Sequence, residues 1–221
     1  PEVLDTLREA EAFGVTGLSY GFDFKAVAAR KNAVVEQLRG GVEGLLGHKN
    51  ITLVRGKASF KDAHTVTVIP CFSSVIPSDA DESPQEYTAD YIIIATGSVS
   101  ASLPIPGADL PGILTSREVL DLQEVPKRLC VIGGGVIGLE FASVFRSFGS
   151  EVTVLEYFKD ILPRFDSDLS KRLKQSLSRR GIEIFTQSQV LSIVPDCVHP
   201  SKDRTSLHCP SLQVQHHFQT A

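Results

Sequence analysis

The sequence predicts an α/β protein built on a doubly wound parallel sheet. Three observations point there. Apolar strand and helix patterns alternate from Leu129 to Phe185, in the order strand, helix, strand, helix, strand. A glycine-rich turn, Gly133 to Gly138, joins the first strand to the first helix. An acid, Glu156, closes the second strand, 18 residues after Gly138. With right-handed crossovers this order builds a parallel sheet with helices packed on it.

The elements follow from residue spacing. The chain opens at Pro1 in a helical pattern. A long helix is expected from Phe24 to Leu46, where Phe24, Val27, Ala28, Val34, Val35, Leu38, Val42 and Leu45 recur at three- and four-residue steps. Gly40-Gly41 interrupts it at about 1 kcal/mol each relative to alanine. Short strands are expected at Ile51–Val54, Ala58–Phe60 and Thr65–Ile69, and a buried strand at Tyr91–Ala95, ending in Thr96-Gly97. A loop rich in Ser, Pro and Asp, residues 73–84, separates these two groups. Proline-rich chain (Pro104, Pro106, Pro111) leads to a short amphipathic segment, Ser116–Leu122, which Pro126 stops.

Beyond a boundary near 122–127 come strand 129–132, helix 136–148 and strand 152–155. Ile137, Phe141, Val144 and Phe148 share one helix face. Helix 167–180 follows, with Asp166 or Ser167 as N-cap, Leu169, Leu173 and Leu177 as its stripe, Arg179 and Arg180 at its negative end and Gly181 as its stop. "IEIF" (182–185) is the next strand. From Pro195 to Ala221 periodicity is lost, and an irregular tail is expected.

Composition bounds the function classes. The 221 residues carry a net charge of −4, which offers neither nucleic acid nor an anionic membrane a basic surface. No apolar run reaches the roughly 20 residues of a membrane helix. Of the four cysteines, Cys71, Cys130, Cys197 and Cys209, no two form a C-x-x-C pair, and Cys130 sits in an apolar strand as a small core residue. In the tail, Cys197, His199, His208 and Cys209 do not have the spacing of a zinc site, so no metal is expected. The chain contains no methionine and enters a helix at once. It reads as an internal stretch of a longer protein of the cytoplasm or an organelle matrix, in which a targeting segment is not observable.

The glycine turn carries the chemistry. Gly133 permits the tight turn, Gly135 lets backbone approach a diphosphate, and Gly138 lets the helix pack on the strand. Gly134, Val136 and Ile137 complete the mouth, where unsatisfied N–H groups meet the phosphates at the positive helix end. Glu156 is placed to accept hydrogen bonds from ribose hydroxyls. Its charge opposes a 2′-phosphate, so NAD is expected over NADP, with Lys159 and Arg164 as nearby cations that weaken the preference. The competing reading is a glycine turn used only for packing. Strand, turn, helix and acid together favour a Rossmann-type dinucleotide-binding domain.

The stretches "VPKRLCVIGGGVIGLEFASVFRSFGSEVTVLE", "DYIIIATGS" and "LPRFDSDLSKRLKQSLSRRGIEIFT" resemble the pyridine nucleotide–disulfide oxidoreductases over residues 3 to about 194. The resemblance implies an FAD domain, α/β with antiparallel strands and here incomplete (1–122), an NAD-binding Rossmann domain (123–194) and the tail (195–221). It implies that Ala58 and the turn Ala95, Thr96, Gly97, Ser98 lie against FAD. It places Val190 beside the adenine of NAD and Glu140 near the nicotinamide. Glu140 equally reads as an ordinary acid near a positive helix end. The family's first glycine loop, its C-x-x-x-x-C pair and its histidine base match nothing in these 221 residues; His199-Pro200 is rejected as that base because Arg204 stands where the acid is expected. No catalytic residue is therefore named. The implied function is electron transfer between NAD(H), FAD and a disulfide, carried out only by a full-length protein, for which alone a homodimer is expected. The alternative is a non-catalytic nucleotide-binding or interaction protein of the same fold.

Overall fold

The computed structural model describes residues 2–70, 83–101 and 103–194, together with the backbone of 211–216. Their packing forms two compact units: residues 1–29 with 100–221, and residues 30–99. Within the first unit, the stretch 105–113 packs with Leu155, Val190 and Ile193.

The first unit is centred on a parallel sheet of β4 (Arg128–Ile132), β5 (Glu151–Leu155) and β6 (Ile182–Phe185), side by side in chain order. Cys130 lies opposite Thr153, and Val152 opposite Ile182. Two crossover helices connect them: α4 (Val136–Ser147) and α5 (Ser167–Arg179). Strand residues alternate between faces, and the alternation sorts them into two cores. Leu129, Val131, Val152, Val154, Ile182 and Ile184 face α4 and α5, where Leu139, Ala142, Phe145 and Leu177 meet them. Full burial of a Val or Ile in such a core contributes about 1.5–3 kcal/mol. Cys130, Ile132 and Leu155 point the other way. They are covered by Val190 and Ile193 of β7 (Ser188–Val194) and by Ile105, Leu110 and Ile113.

The caps explain where the helices start and stop. Asp166 caps α5, its side chain accepting from the Asp168 N–H at 2.9 Å. At the other end Arg146, from α4, donates its Nε to the Arg180 carbonyl at 2.8 Å and Nη1 to the Ser150 carbonyl at 3.1 Å. The guanidinium thus satisfies a carbonyl that the helix leaves open. A short α3 (Ser116–Val119) begins with a capping box of Thr115 and Glu118. The opening helix α1 (Glu2–Glu9) is tied to the same unit by Asp5, which accepts from Arg180 Nη2 at 2.5 Å and from the Ser147 hydroxyl at 3.2 Å. Phe22 and Phe24 pack on Phe148, each with ring centroids 5.2 Å apart.

The helix expected at 24–46 is α2 (Phe24–Leu46). The second unit contains most of it and an antiparallel sheet, β1 (Gly56–Phe60), β2 (Thr65–Pro70) and β3 (Gln85–Thr88), in that order. Three expectations are corrected. Ile51–Val54 is irregular chain rather than strand. Tyr91–Ala95 is neither a strand nor buried, having no ladder partner among the described residues: Tyr91 is 91 % and Ile93 89 % exposed. Part of the tail, expected to be irregular, forms β8 (Ser211–His216), antiparallel to β7. Strand β7 itself was not expected beyond "IEIF". Its alternation is broken by a bulge between Val190 and Ser192, which shifts the period-2 signal. Cys71, most of the 73–84 loop and the Cys197, His199, His208, Cys209 group lie outside the described residues.

Candidate nucleotide site

The C-terminal ends of β4 and β5 open on a cavity of about 410 Å³. Its walls are Ile132 and Gly133, Leu155 to Tyr157, Ser188 to Leu191 of β7, and Leu103 to Ile105. Open α/β sheets bind ligands at this end of their strands. Apolar walls with a few polar groups suit a flat heterocycle and a sugar.

The turn leading out of β4 is built as the spacing requires. Gly133 has φ 110°, a conformation that disfavours side chains. Its N–H donates to the Leu155 carbonyl at 2.8 Å, which pins the turn to β5. Gly138 sits where a Cβ would come within 2.4 Å of the Gly133 carbonyl oxygen and 3.0 Å of Val131. A side chain there would push α4 off the strand. Gly135, the N-cap of α4, has open space where its Cβ would be. No protein packing demands glycine at that position, so the space is available to a phosphate. Val136 and Ile137, on the first turn of α4, are exposed (47 % and 57 %), as is Glu140.

Glu156 is buried, only 5 % exposed. Its Oε2 accepts from the Gly134 N–H at 2.5 Å and its Oε1 from the Phe158 N–H at 2.7 Å. Both oxygens retain a further acceptor position. Val190, 8 % exposed, also lines the cavity. Beyond Glu156, two non-glycine residues among those described have positive φ, Leu162 (51°) and Gln187 (54°). The Leu162 N–H donates to the Gly134 carbonyl and the Gln187 N–H to the Phe158 carbonyl, both at 2.9 Å. Such conformations cost about 1–3 kcal/mol and persist where surroundings dictate them.

The expected residues thus fall into two sets. Gly133, Gly134, Glu156 and Val190 converge on one site of the first unit, with Gly135, Val136, Ile137, Gly138 and Glu140 in the turn and helix beside it. Ala58 and Ala95 to Ser98 belong to the second unit, where all are exposed. Gly97 has φ 74° and open space around its Cβ position, so backbone can approach a ring system there. The described residues do not enclose that turn. The walls contributed by Leu103 to Ile105 and by Ser188, Gln189 and Leu191 were missed. Nothing in a proline-rich connector or an unrecognised strand marks contact with a distant turn. Among the described residues no group of His, Cys, Asp or Glu could hold a metal, and no helix is long and apolar enough to cross a membrane.

Comparison with known proteins decides the family. The pyridine nucleotide-disulphide oxidoreductase family matches residues 4–212. The chain belongs to that family. Dihydrolipoyl dehydrogenase of Acholeplasma laidlawii is 36 % identical over 197 residues, covering 87 % of this chain and 54 % of that protein. Dihydrolipoyl dehydrogenase of Bacillus subtilis (strain 168) is 36 % identical over 206 residues, covering 93 % and 43 %. Among solved structures, the HOCl-induced flavoprotein disulfide reductase RclA from Escherichia coli superposes with a TM-score of 0.67 at 32 % identity, covering 99 % of this chain and 43 % of that one. LpdA from Mycobacterium tuberculosis does so with 0.73 at 26 % identity, covering 88 % and 41 %. This pyridine nucleotide–disulfide oxidoreductase chain spans about half the length of the curated relatives it matches. Its α/β fold, with parallel and antiparallel sheets and a Rossmann-type arrangement, is that of the family. Dihydrolipoyl dehydrogenases and flavoprotein disulfide reductases use FAD and NAD(H).

Proposed function

We propose that this chain is the nucleotide-binding portion of a dihydrolipoamide dehydrogenase-like flavoprotein, which passes electrons between NAD(H), FAD and a disulfide. On this reading residues 1–122 belong to the FAD part and 123–194 to the NAD part. The observation that carries it is the cavity at the ends of β4 and β5, bounded by Gly133, the buried Glu156 and Val190, with open space at Gly135.

The residues fit NAD. The diphosphate sits at the start of α4, where first-turn N–H groups have no helical partners and the helix end is positive. Glu156 accepts from the adenosine ribose hydroxyls through the acceptor positions its two N–H donors leave open, and its charge disfavours a 2′-phosphate. Val190, Ile132 and the Leu103 to Ile105 wall flank the adenine. Glu140, one turn into α4, is exposed, and the family resemblance assigns it to the nicotinamide. A bound nicotinamide supplies hydride transfer; the chain's own residues bind and orient it. For FAD, Ala58 and Ala95 to Ser98 offer backbone approach but no enclosure, so no step is routed through the flavin. The disulfide half needs a thiolate pair. The four cysteines contain no C-x-x-x-x-C pair, so this chain alone is not expected to reduce or oxidise a disulfide. The relatives are named as enzymes, and no observation favours the non-catalytic alternative. The partners on this reading are NAD(H) and FAD, with a homodimer only for a full-length protein.

Gly135→Asn tests the reading. Asparagine is a good N-cap, so stability should be kept while the side chain fills the phosphate space. NADH titration, followed by nicotinamide fluorescence, should saturate with the wild-type chain and weaken at least tenfold with the variant. Equal affinity for both would refute the diphosphate seat.

A further inference from the structure

The geometry points to a second task for Glu156: its carboxylate is a latch that holds the glycine turn in its binding conformation before any nucleotide arrives. This rests on the NAD reading above for its functional consequence, but on the ligand-free geometry for the latch itself.

A carboxylate 5 % exposed loses most of its hydration and must be compensated by donors. No lysine or arginine ion pair to it is present among the described residues; the donors are backbone. Oε2 takes the Gly134 N–H at 2.5 Å, across 22 residues of chain, and Oε1 takes the Phe158 N–H at 2.7 Å. Bonds from N–H to an ionised oxygen are shorter and about twice as strong as neutral ones. Gly134 is also closely packed: a Cβ there would lie 2.9 Å from Ile161 and 3.0 Å from Glu156 Oε2, so these side chains would have to shift to admit one. On its other side the Gly134 carbonyl accepts from the Leu162 N–H at 2.9 Å. Gly134 is therefore clamped through both backbone groups to the loop after β5. Gly133 and Gly135, which flank it, carry the positive φ and the open phosphate space.

A residue that only read the ribose would leave the turn unchanged when replaced. A residue that only repelled a 2′-phosphate would, when neutralised, admit NADPH. The latch predicts neither. Losing the carboxylate releases Gly134 and lowers affinity for every dinucleotide, because the diphosphate seat is no longer pre-formed.

The test uses the whole chain without ligand. In the wild type, the Gly134 amide should exchange with deuterium at least tenfold more slowly than an unprotected glycine amide; exchange at the unprotected rate overturns the latch and requires no variant. In Glu156→Ala, Gly134 should exchange at least tenfold faster than in the wild type, while amides of β6 keep their protection as evidence of folding. Unchanged Gly134 exchange in the folded variant overturns the latch. With nucleotide, the variant should lose at least tenfold in NADH affinity; unchanged NADH affinity in the folded variant overturns the claim that the latch pre-forms the diphosphate seat. If the wild type does not bind NADH, the NAD reading fails, and the exchange measurements still decide the latch.

Discussion

Val152 to Leu155 and Tyr91 to Ile94 are both short apolar runs, each leading to a polar turn, and they end in opposite states. In β5, Val152 is 3 % and Val154 0 % exposed. β4 and β6 flank the strand in parallel register, and α4 and α5 lie on one face. In the other run, Ile93 is 89 % and Ile94 70 % exposed, on chain that has no ladder among the described residues. The same contrast holds for helices. Leu139, Ala142 and Phe145 of α4 are buried, whereas Leu38, Val42 and Leu45 of α2 are exposed (66 %, 55 % and 74 %) although their spacing is equally helical. Apolar spacing states what a segment needs; burial requires a neighbour to supply it.

That contrast is most open to attack through the core. Ile182→Ala should cost about 2–5 kcal/mol in urea denaturation, since Ile182 is 2 % exposed between α4 and α5. Ile93→Ala should stay within about 0.5 kcal/mol. Equal effects would break the comparison. Gly138→Val should come next, at about 1–3 kcal/mol, as its side chain meets the Gly133 carbonyl and Val131. Gly135→Asn, three residues earlier, should leave the denaturation midpoint unchanged; a cost like that of Gly138→Val would mean that packing rather than ligand space explains both glycines.

A smaller effect sharpens the picture within the first unit. Thr115→Ala should cost about 1 kcal/mol by removing the cap of α3. Hydrogen bonding from the Thr115 hydroxyl, and next from backbone N–H groups, holds the Glu118 carboxyl below the usual carboxylate range. A lowered folded value means that this contribution is present above the unfolded value and is lost as pH falls through the folded one. The difference between wild type and Thr115→Ala should therefore shrink in acid. A difference that grew as pH fell would contradict the cap. Smallest in stability terms, Leu38→Lys with Ile93→Lys should leave unfolding almost unchanged yet lower binding of a hydrophobic dye such as ANS. Undiminished dye fluorescence would show that these exposed side chains are not the sticky surface.

Much of the site could be read from residue spacing because its constraints are local. Gly133, Gly135 and Gly138 follow a strand and open a helix, and Glu156 ends the next strand; each reflects a steric or electrostatic need within one crossover unit. Helix α2 and helix α5 with its Asp166 cap were legible for the same reason. The tight fit of Gly134 was not, because it depends on Ile161 and on the direction in which Glu156 turns. Nor were the walls from Leu103 to Ile105 and from β7, which reach the cavity only through the packing of distant segments. Tyr91–Ala95 shows the converse: a sound strand pattern without a partner stays unpaired.

The order of elements, the sharp turn out of β4 and the acid at the end of β5 are written in local spacing, because backbone sterics, helix periodicity and pleat alternation act between residues close in the chain. Which apolar faces are covered, which segments wall the cavity and what the Glu156 carboxylate holds depend on the packing of distant segments. Burial and hydrogen bonding across long chain separations depend on which surfaces meet, and no local pattern encodes that meeting.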